Sequence, residues 1–246
     1  MHIGTTVTSP GATIEVSVLI NGTAQPLYRR PGDGKVFVAG VPGRAYTLRV
    51  RNMGDRRIEV ISTVDGRHTL KDEPGDTAAC RGLVFDARSA GEFTGWRISD
   101  KETREFIFGS PAASVAAQAT GSAANTGVIG FAVYRERDYP AAHRAQRGYG
   151  TPLGARTVAV ASAAASADSG IPATTMSGST LGTGIGERRE DRVGSTSFTR
   201  AYGEPDILVI GYDTEEVLRG RGILGPPEPD PFPGAGTGYE KYEPAP

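Results

Sequence analysis

From Ile14 onward, apolar side chains recur at every second position in short runs that end on dipeptides able to reverse the chain. Ile14, Val16, Val18 and Ile20 alternate with Glu15, Ser17 and Leu19, the period of a half-buried strand. Asn21-Gly22 follows, a pair that readily takes positive φ, and predicts a hairpin with 27–29 as the returning strand. A second turn cluster, Pro31-Gly32-Asp33-Gly34, precedes a short strand over 35–39. Tyr46, Leu48 and Val50 then face away from Thr47, Arg49 and Arg51. After 52–55, Ile58, Val60, Ser62 and Val64 resume the alternation, so the two runs read as an antiparallel pair with one wet face. Asp65-Gly66 is a second hairpin signal, returning over 67–70.

The rhythm continues downstream. Residues 82–85, 92–98 and 105–108 are short, aromatic or β-branched, and regularly spaced, as in sandwiches and barrels. Ser99-Asp100-Lys101-Glu102 fits a capping box and predicts one helical turn. Residues 128–134 form a continuous apolar run suited to a central strand, with Gly127 and Gly130 weighing against a helix. Residues 197–200 and 206–212 read as further strands. Asp213-Thr214-Glu215-Glu216 caps a short helix reaching about Arg219, with Glu216 at its third position.

Composition matters where the pattern stops. Residues 157–186 are dominated by Ala, Ser, Gly and Thr and carry one charge, Asp168, too little apolar mass to offset ordering entropy unless another surface holds them. Residues 225–246 hold 7 Pro and 4 Gly, which favours solvated, polyproline-like extension. The resulting expectation is an all-β protein: an antiparallel β-sandwich of jelly-roll type with one or two short helices and extended arms. Its parts are a body over 1–137, an Ala/Ser/Gly/Thr-rich loop or arm over 138–188, a returning strand and short helix over 189–224, and a tail over 225–246.

Charge and motifs narrow the function classes. Lys plus Arg number 27 against 28 Asp plus Glu, a net charge of −1 that argues against dedicated nucleic-acid binding. The start lacks a basic leader and an apolar run, and no stretch approaches a membrane span, so the expectation is cytoplasmic synthesis without a signal peptide, with a released particle as one destination. Cys80 stands alone, which excludes an internal disulfide and, on this reading, a Cys-based zinc site within one chain. Gly182-Thr183-Gly184-Ile185-Gly186 fails as a dinucleotide fingerprint because Glu187 occupies the position of the last glycine, and it reads instead as a flexible approach to the final strands.

His2, His68 and His143 lack metal-ligand spacing, and Ser166, Ser177 and Ser179 lie in the low-complexity segment without a G-x-S-x-G elbow. His68 reads as exposed strand decoration. Asp72, Glu73, Asp76, Asp86 and Glu92 offer carboxylates for a hydrolytic pair only if folding brings two together. Arg49, Arg51, Arg56 and Arg57 form a local basic cluster, read as an edge guard. Trp96, Tyr46, Tyr134, Phe85 and Phe93 read mainly as core, with a carbohydrate-binding face as the alternative. No catalytic, cofactor-binding or metal-ligating residue is assigned, and no cofactor is expected.

Several words of the chain point the same way: Tyr46-Thr47-Leu48-Arg49-Val50-Arg51-Asn52, then 57–66 (RIEVISTVDG), Arg81-Gly82, Gly95-Trp96-Arg97-Ile98-Ser99, Phe106-Ile107-Phe108, and 127–134 (GVIGFAVY). Leu181-Gly182-Thr183-Gly184 and Phe198-Thr199-Arg200-Ala201 extend them. Over 46–224 the chain resembles a group of uncharacterised β-rich proteins from bacteria and large DNA viruses. That resemblance implies a shared sandwich scaffold and no catalytic residue. The functional expectation is a non-enzymatic structural or assembly protein, most concretely a capsid-decorating or head-associated subunit of a phage or virus particle. Its partners would be protein subunits in a homo-oligomer or larger assembly; the alternative is a carbohydrate-binding or surface-adhesion module.

Overall fold

The computed structural model describes residues 1–137, 159–162 and 178–226, the four residues 159–162 by their backbone alone. Its strands, in chain order, are β1 (His2–Gly4), β2 (Val7–Thr8), β3 (Ile14–Ile20), β4 (Thr23–Ala24), β5 (Leu27–Arg29), β6 (Val36–Ala39), β7 (Ala45–Asn52), β8 (Ile58–Val64) and β9 (Arg67–His68). They continue with β10 (Leu83–Phe85), β11 (Ala90–Phe93), β12 (Gly95–Ser99), β13 (Glu102–Gly109), β14 (Val128–Arg135), β15 (Ala159–Ser162), β16 (Gly182–Glu190), β17 (Gly194–Ser197) and β18 (Asp206–Asp213). The described residues also form a 3₁₀ turn (Pro111–Ala113) and two short α-helices, α1 (Val115–Thr120) and α2 (Glu215–Gly220). None of the described helices is long and apolar enough to cross a membrane.

The all-β expectation holds. One sheet runs β1-β5-β6-β18-β14-β8-β10-β15-β17, with β9 on β8. The other runs β12-β13-β7-β3-β2, with β11 on β7, β16 on β13 and β4 on β3. The main core lies where their inner faces meet: Val16, Val18, Leu48, Val50, Phe106 and Phe108 from one sheet against Val60, Val64, Phe131, Ile129 and Ile210 from the other. Pairing is not purely antiparallel as expected, because β6 lies parallel to β18 and β15 parallel to β17.

Several local expectations change with the pairing. Asn21 and Gly22 do turn with positive φ (52° and 76°), but the returning strand is β4; β5 crosses to the other sheet. β7 keeps its alternation, with Tyr46, Leu48 and Val50 buried. It does not pair with β8. The two lie in different sheets, and β8 is buried along its whole length because a loop covers its outer face. Asp65-Gly66 (φ 53° and 76°) closes the expected hairpin, pairing Thr63 with His68. Asp100-Lys101 makes a strand-to-strand turn rather than a helical one, since Ser99 pairs with Glu102. Residues 182–186 belong to β16, paired along β13, so that glycine run is sheet rather than flexible approach.

Helix α2 forms as its sequence suggests, one residue later. Thr214 is the N-cap, its hydroxyl accepting from the Val217 N–H, and Glu215 and Glu216 occupy the first turn. Buried Leu218, with Ile223 and Leu224, packs the helix on Phe37. Helix α1 was not anticipated; Ser114 caps it and Gly121 ends it with φ 71°.

Close approach, not turning, explains Gly82. A Cβ there would sit 2.1 Å from the Val60 carbonyl oxygen, where β10 meets β8. Gly82→Ala is therefore expected to lower stability by about 1–3 kcal/mol in urea unfolding. An unchanged midpoint would contradict this packing of β10 on β8.

Candidate functional site

Two polar centres are built into the sandwich, one between the sheets and one on an outer face. The inner one begins at Asp65, whose turn conformation directs its carboxylate between the sheets, 1% exposed. Oδ1 accepts from the Gly127 N–H (2.9 Å) and the Tyr212 hydroxyl (2.6 Å), and Oδ2 from the Thr183 N–H (2.7 Å). The Thr183 hydroxyl bridges the Tyr212 hydroxyl (2.7 Å) and the Tyr46 hydroxyl (2.8 Å). Asp65 and Tyr212 come from one sheet, Tyr46 and Thr183 from the other, so the relay bolts the layers together.

Burial pushes the Asp65 carboxyl up to about 6, against the opposing pull of the Tyr212 hydroxyl and the backbone N–H donors. Burial also raises both tyrosine hydroxyls well above their ordinary value, and the Asp65 charge adds to it. All four side chains are closed to solvent. Their arrangement is that of a buried, hydrogen-bonded network.

The outer centre lies over β8. Glu59, Ile61 and Thr63 point away from the main core, yet Glu59 is fully buried because residues 71–81 and 198–201 fold across the strand. Its carboxylate takes the Arg200 guanidinium side-on (Nε to Oε2 2.8 Å, Nη2 to Oε1 3.2 Å), the Gly82 N–H (2.8 Å), and Arg81 at 3.7 Å. Arg200 also donates to the carbonyls of Thr77 (2.8 Å), Ala78 (2.9 Å) and Cys80, and its guanidinium carbon lies 4.0 Å over the Tyr134 ring. One arginine thus holds the covering loop to the strand beneath.

His68, Glu73 and Cys80 meet in that same loop. The His68 ring is fully buried, and neither Nδ1 nor Nε2 has a hydrogen-bond partner. Glu73 Oε1 stands 3.9 Å from Nδ1 and 3.7 Å from the Cys80 sulfur. Burial is the main cause that lowers the His68 ring to about 4 and raises the Cys80 thiol. His68 is thus neither exposed nor decorative, contrary to its sequence reading. The spacing of the histidines gave no sign of this grouping, which arises because the His68 backbone N–H donates to the Glu73 backbone carbonyl (2.8 Å) and the Cys80 backbone N–H to that of Asp76 (3.0 Å).

The other sequence candidates disperse. Trp96, Tyr46, Phe85, Phe93 and Tyr134 are all buried, so they provide core and no exposed aromatic platform. Asp72 pairs with Arg67, Glu92 with Arg49, and Asp86 with Arg57, while Asp76 accepts from the Ala78 and Ala79 N–H groups. Arg57 also pairs with Glu136, so the basic cluster is partly neutralised within the chain. The His2 ring packs on Tyr28, and Ser179 bonds the Leu181 and Tyr212 carbonyls. His143, Ser166 and Ser177 lie outside the described residues. Glu59 and Arg200 carried no sequence signal beyond a polar residue inside an apolar strand.

The sheet edge holds one further feature. β15 comes from the Ala/Ser/Gly/Thr-rich segment, and its backbone pairs antiparallel with β10 (Val84 with Ala159) and parallel with β17 (Ser162 with Ser197). The chain matches no protein-family model, no curated protein and no solved structure.

Proposed function

We propose that this protein is a non-enzymatic assembly subunit whose low-complexity segment joins copies together by adding a strand to a neighbour's sheet. A capsid-decorating or head-associated subunit of a phage or virus particle is its most concrete form. The observation that carries the reading is β15: four residues of a segment poor in apolar mass, seated between β10 and β17 by main-chain pairing. Main-chain hydrogen bonds give such an added strand its hold, and every copy offers the same slot. Residues 138–158, which precede β15, span up to about 70 Å when extended, enough to reach the slot of an adjacent copy. Exchange of an identical element between copies is a low-cost route to oligomers.

The two polar centres support a non-enzymatic reading. The Asp65 relay is sealed between the sheets, and Glu59 is matched by Arg200. The carbohydrate alternative loses the residues proposed for its platform, which are buried.

Val160→Pro tests the proposal, because proline removes a main-chain donor from the strand. Assembled species are expected to disappear in sedimentation while the melting of the body changes little. Deleting 227–246 is expected to have the same signature. The cut falls after Pro226 because Ile223 and Leu224 are buried and Arg219 binds the Gly225 carbonyl. Assembly that survives both changes would contradict the proposal.

A further inference from the structure

We propose that His68, Glu73 and Cys80 form a binding site for a divalent metal ion of borderline softness, with Zn²⁺ as the ion its donors fit. Their ligand atoms, an imidazole nitrogen, a carboxylate oxygen and a sulfur, all lie within 4.8 Å of one another. Tetrahedral zinc, with bonds of about 2.0–2.3 Å, places its ligand atoms roughly 3.3–3.8 Å apart. The two distances to Glu73 Oε1, 3.9 Å and 3.7 Å, are already close to that range. A small inward shift of the loop seats the ion.

The unpaired imidazole points to a ligand independently of the spacing. A fully buried ring with neither nitrogen in full hydrogen-bond geometry, helped by the Arg81 backbone and the Glu73 charge, carries a poorly compensated desolvation cost. A metal on Nδ1 turns that cost into a bond, and Glu73, whose side chain is 46% exposed, leaves the outer side of the site open for a water as fourth ligand. Mixed nitrogen, sulfur and oxygen donors suit zinc better than calcium or magnesium, which take oxygen alone. The single cysteine is therefore no obstacle, because the site needs only one.

Charge balance fits as well: metal binding displaces the Cys80 thiol proton to solvent, so one thiolate and one carboxylate match the two positive charges of the ion. Of the cations around the loop, Arg200 is answered by Glu59 and Arg67 by Asp72, while the Lys71 charge acts on the His68 ring. A bound ion would fasten the loop that covers β8, tying His68 at its start to Cys80 at its end. The proposal does not depend on how the chain assembles.

The test uses the full chain, reduced, stripped with a chelator and titrated with Co²⁺ and then Zn²⁺ against a chromophoric competitor. One equivalent is expected to bind, with a thiolate-to-cobalt charge-transfer band that zinc abolishes. Cys80→Ser is expected to remove the band and weaken zinc binding by at least about 100-fold, and His68→Gln to weaken it as much. Glu73→Gln, at a side chain open to solvent, keeps the fold intact and is expected to weaken binding by about 10-fold or more. His2→Gln leaves binding unchanged. Absence of stoichiometric binding overturns the proposal, as does cobalt bound without the sulfur band. So does a folded Glu73→Gln protein that binds zinc as tightly as the unsubstituted chain.

Discussion

Arg200→Met is expected to cost about 3–5 kcal/mol, the largest loss foreseen for any single side chain here, because it leaves a fully buried carboxylate without its main partner. At about 2–4 °C per kcal/mol for a chain of this size, that lowers Tm by roughly 10 °C. The loss has two sources. Glu59 keeps the Gly82 N–H and the more distant Arg81, but the carbonyls of Thr77, Ala78 and Cys80 lose a shared donor. Adding Glu59→Gln removes the stranded charge and is expected to recover part of the loss, so a double-mutant cycle in urea shows a coupling well above 1 kcal/mol. Additive effects would mean that the pair does not hold the loop.

The second large effect concerns Asp65 and its dependence on pH. Its carboxyl is raised from 3.8 to about 6 in the folded protein, which binds the proton more tightly than the unfolded chain does. The stability it lends is therefore fully present below about pH 4 and is lost as pH rises through about 6. At about 1.4 kcal/mol per unit, the loss approaches 3 kcal/mol. Asp65→Asn keeps a residue that tolerates positive φ but cannot titrate, and its amide must turn an N–H₂ toward N–H donors from Thr183 or Gly127. The substituted protein is expected to be less stable at pH 4, and the gap to the unsubstituted one to shrink by about 3 kcal/mol between pH 4 and pH 7. A gap independent of pH would contradict the burial argument.

Local features were legible in the sequence because they are decided locally. The alternation of β7, the Asp65-Gly66 turn and the Thr214-capped helix all follow from neighbouring residues. The division of strands between sheets was not. β7 and β8 follow one another yet part company, because the Asn52 side chain shapes the link: its amide donates to the Arg56 and Asp86 carbonyls and its oxygen accepts from the Gly54 N–H. Two of these bonds are local and the one to Asp86 reaches across the chain, and no turn dipeptide announces them.

The glycines of β16 misled for a related reason. A Cβ at Gly186 would sit 2.6 Å from the Ile107 side chain, and one at Gly182 would sit 2.7 Å from that of Ser114. Their smallness serves close packing, so a strand there shows no apolar alternation to read. The outer polar centre was hidden likewise. His68, Glu73 and Cys80 are spaced by a loop rather than a helix, and Glu59 finds Arg200 across 141 positions.

Strand exchange through the low-complexity segment, as proposed, is read out by native mass spectrometry of the 246-residue chain. Heavy-isotope and light chains mixed and refolded together are expected to give species at multiples of 25.8 kDa containing both isotopes. A single 25.8 kDa species at every concentration, with heavy and light chains never sharing a particle, would contradict it.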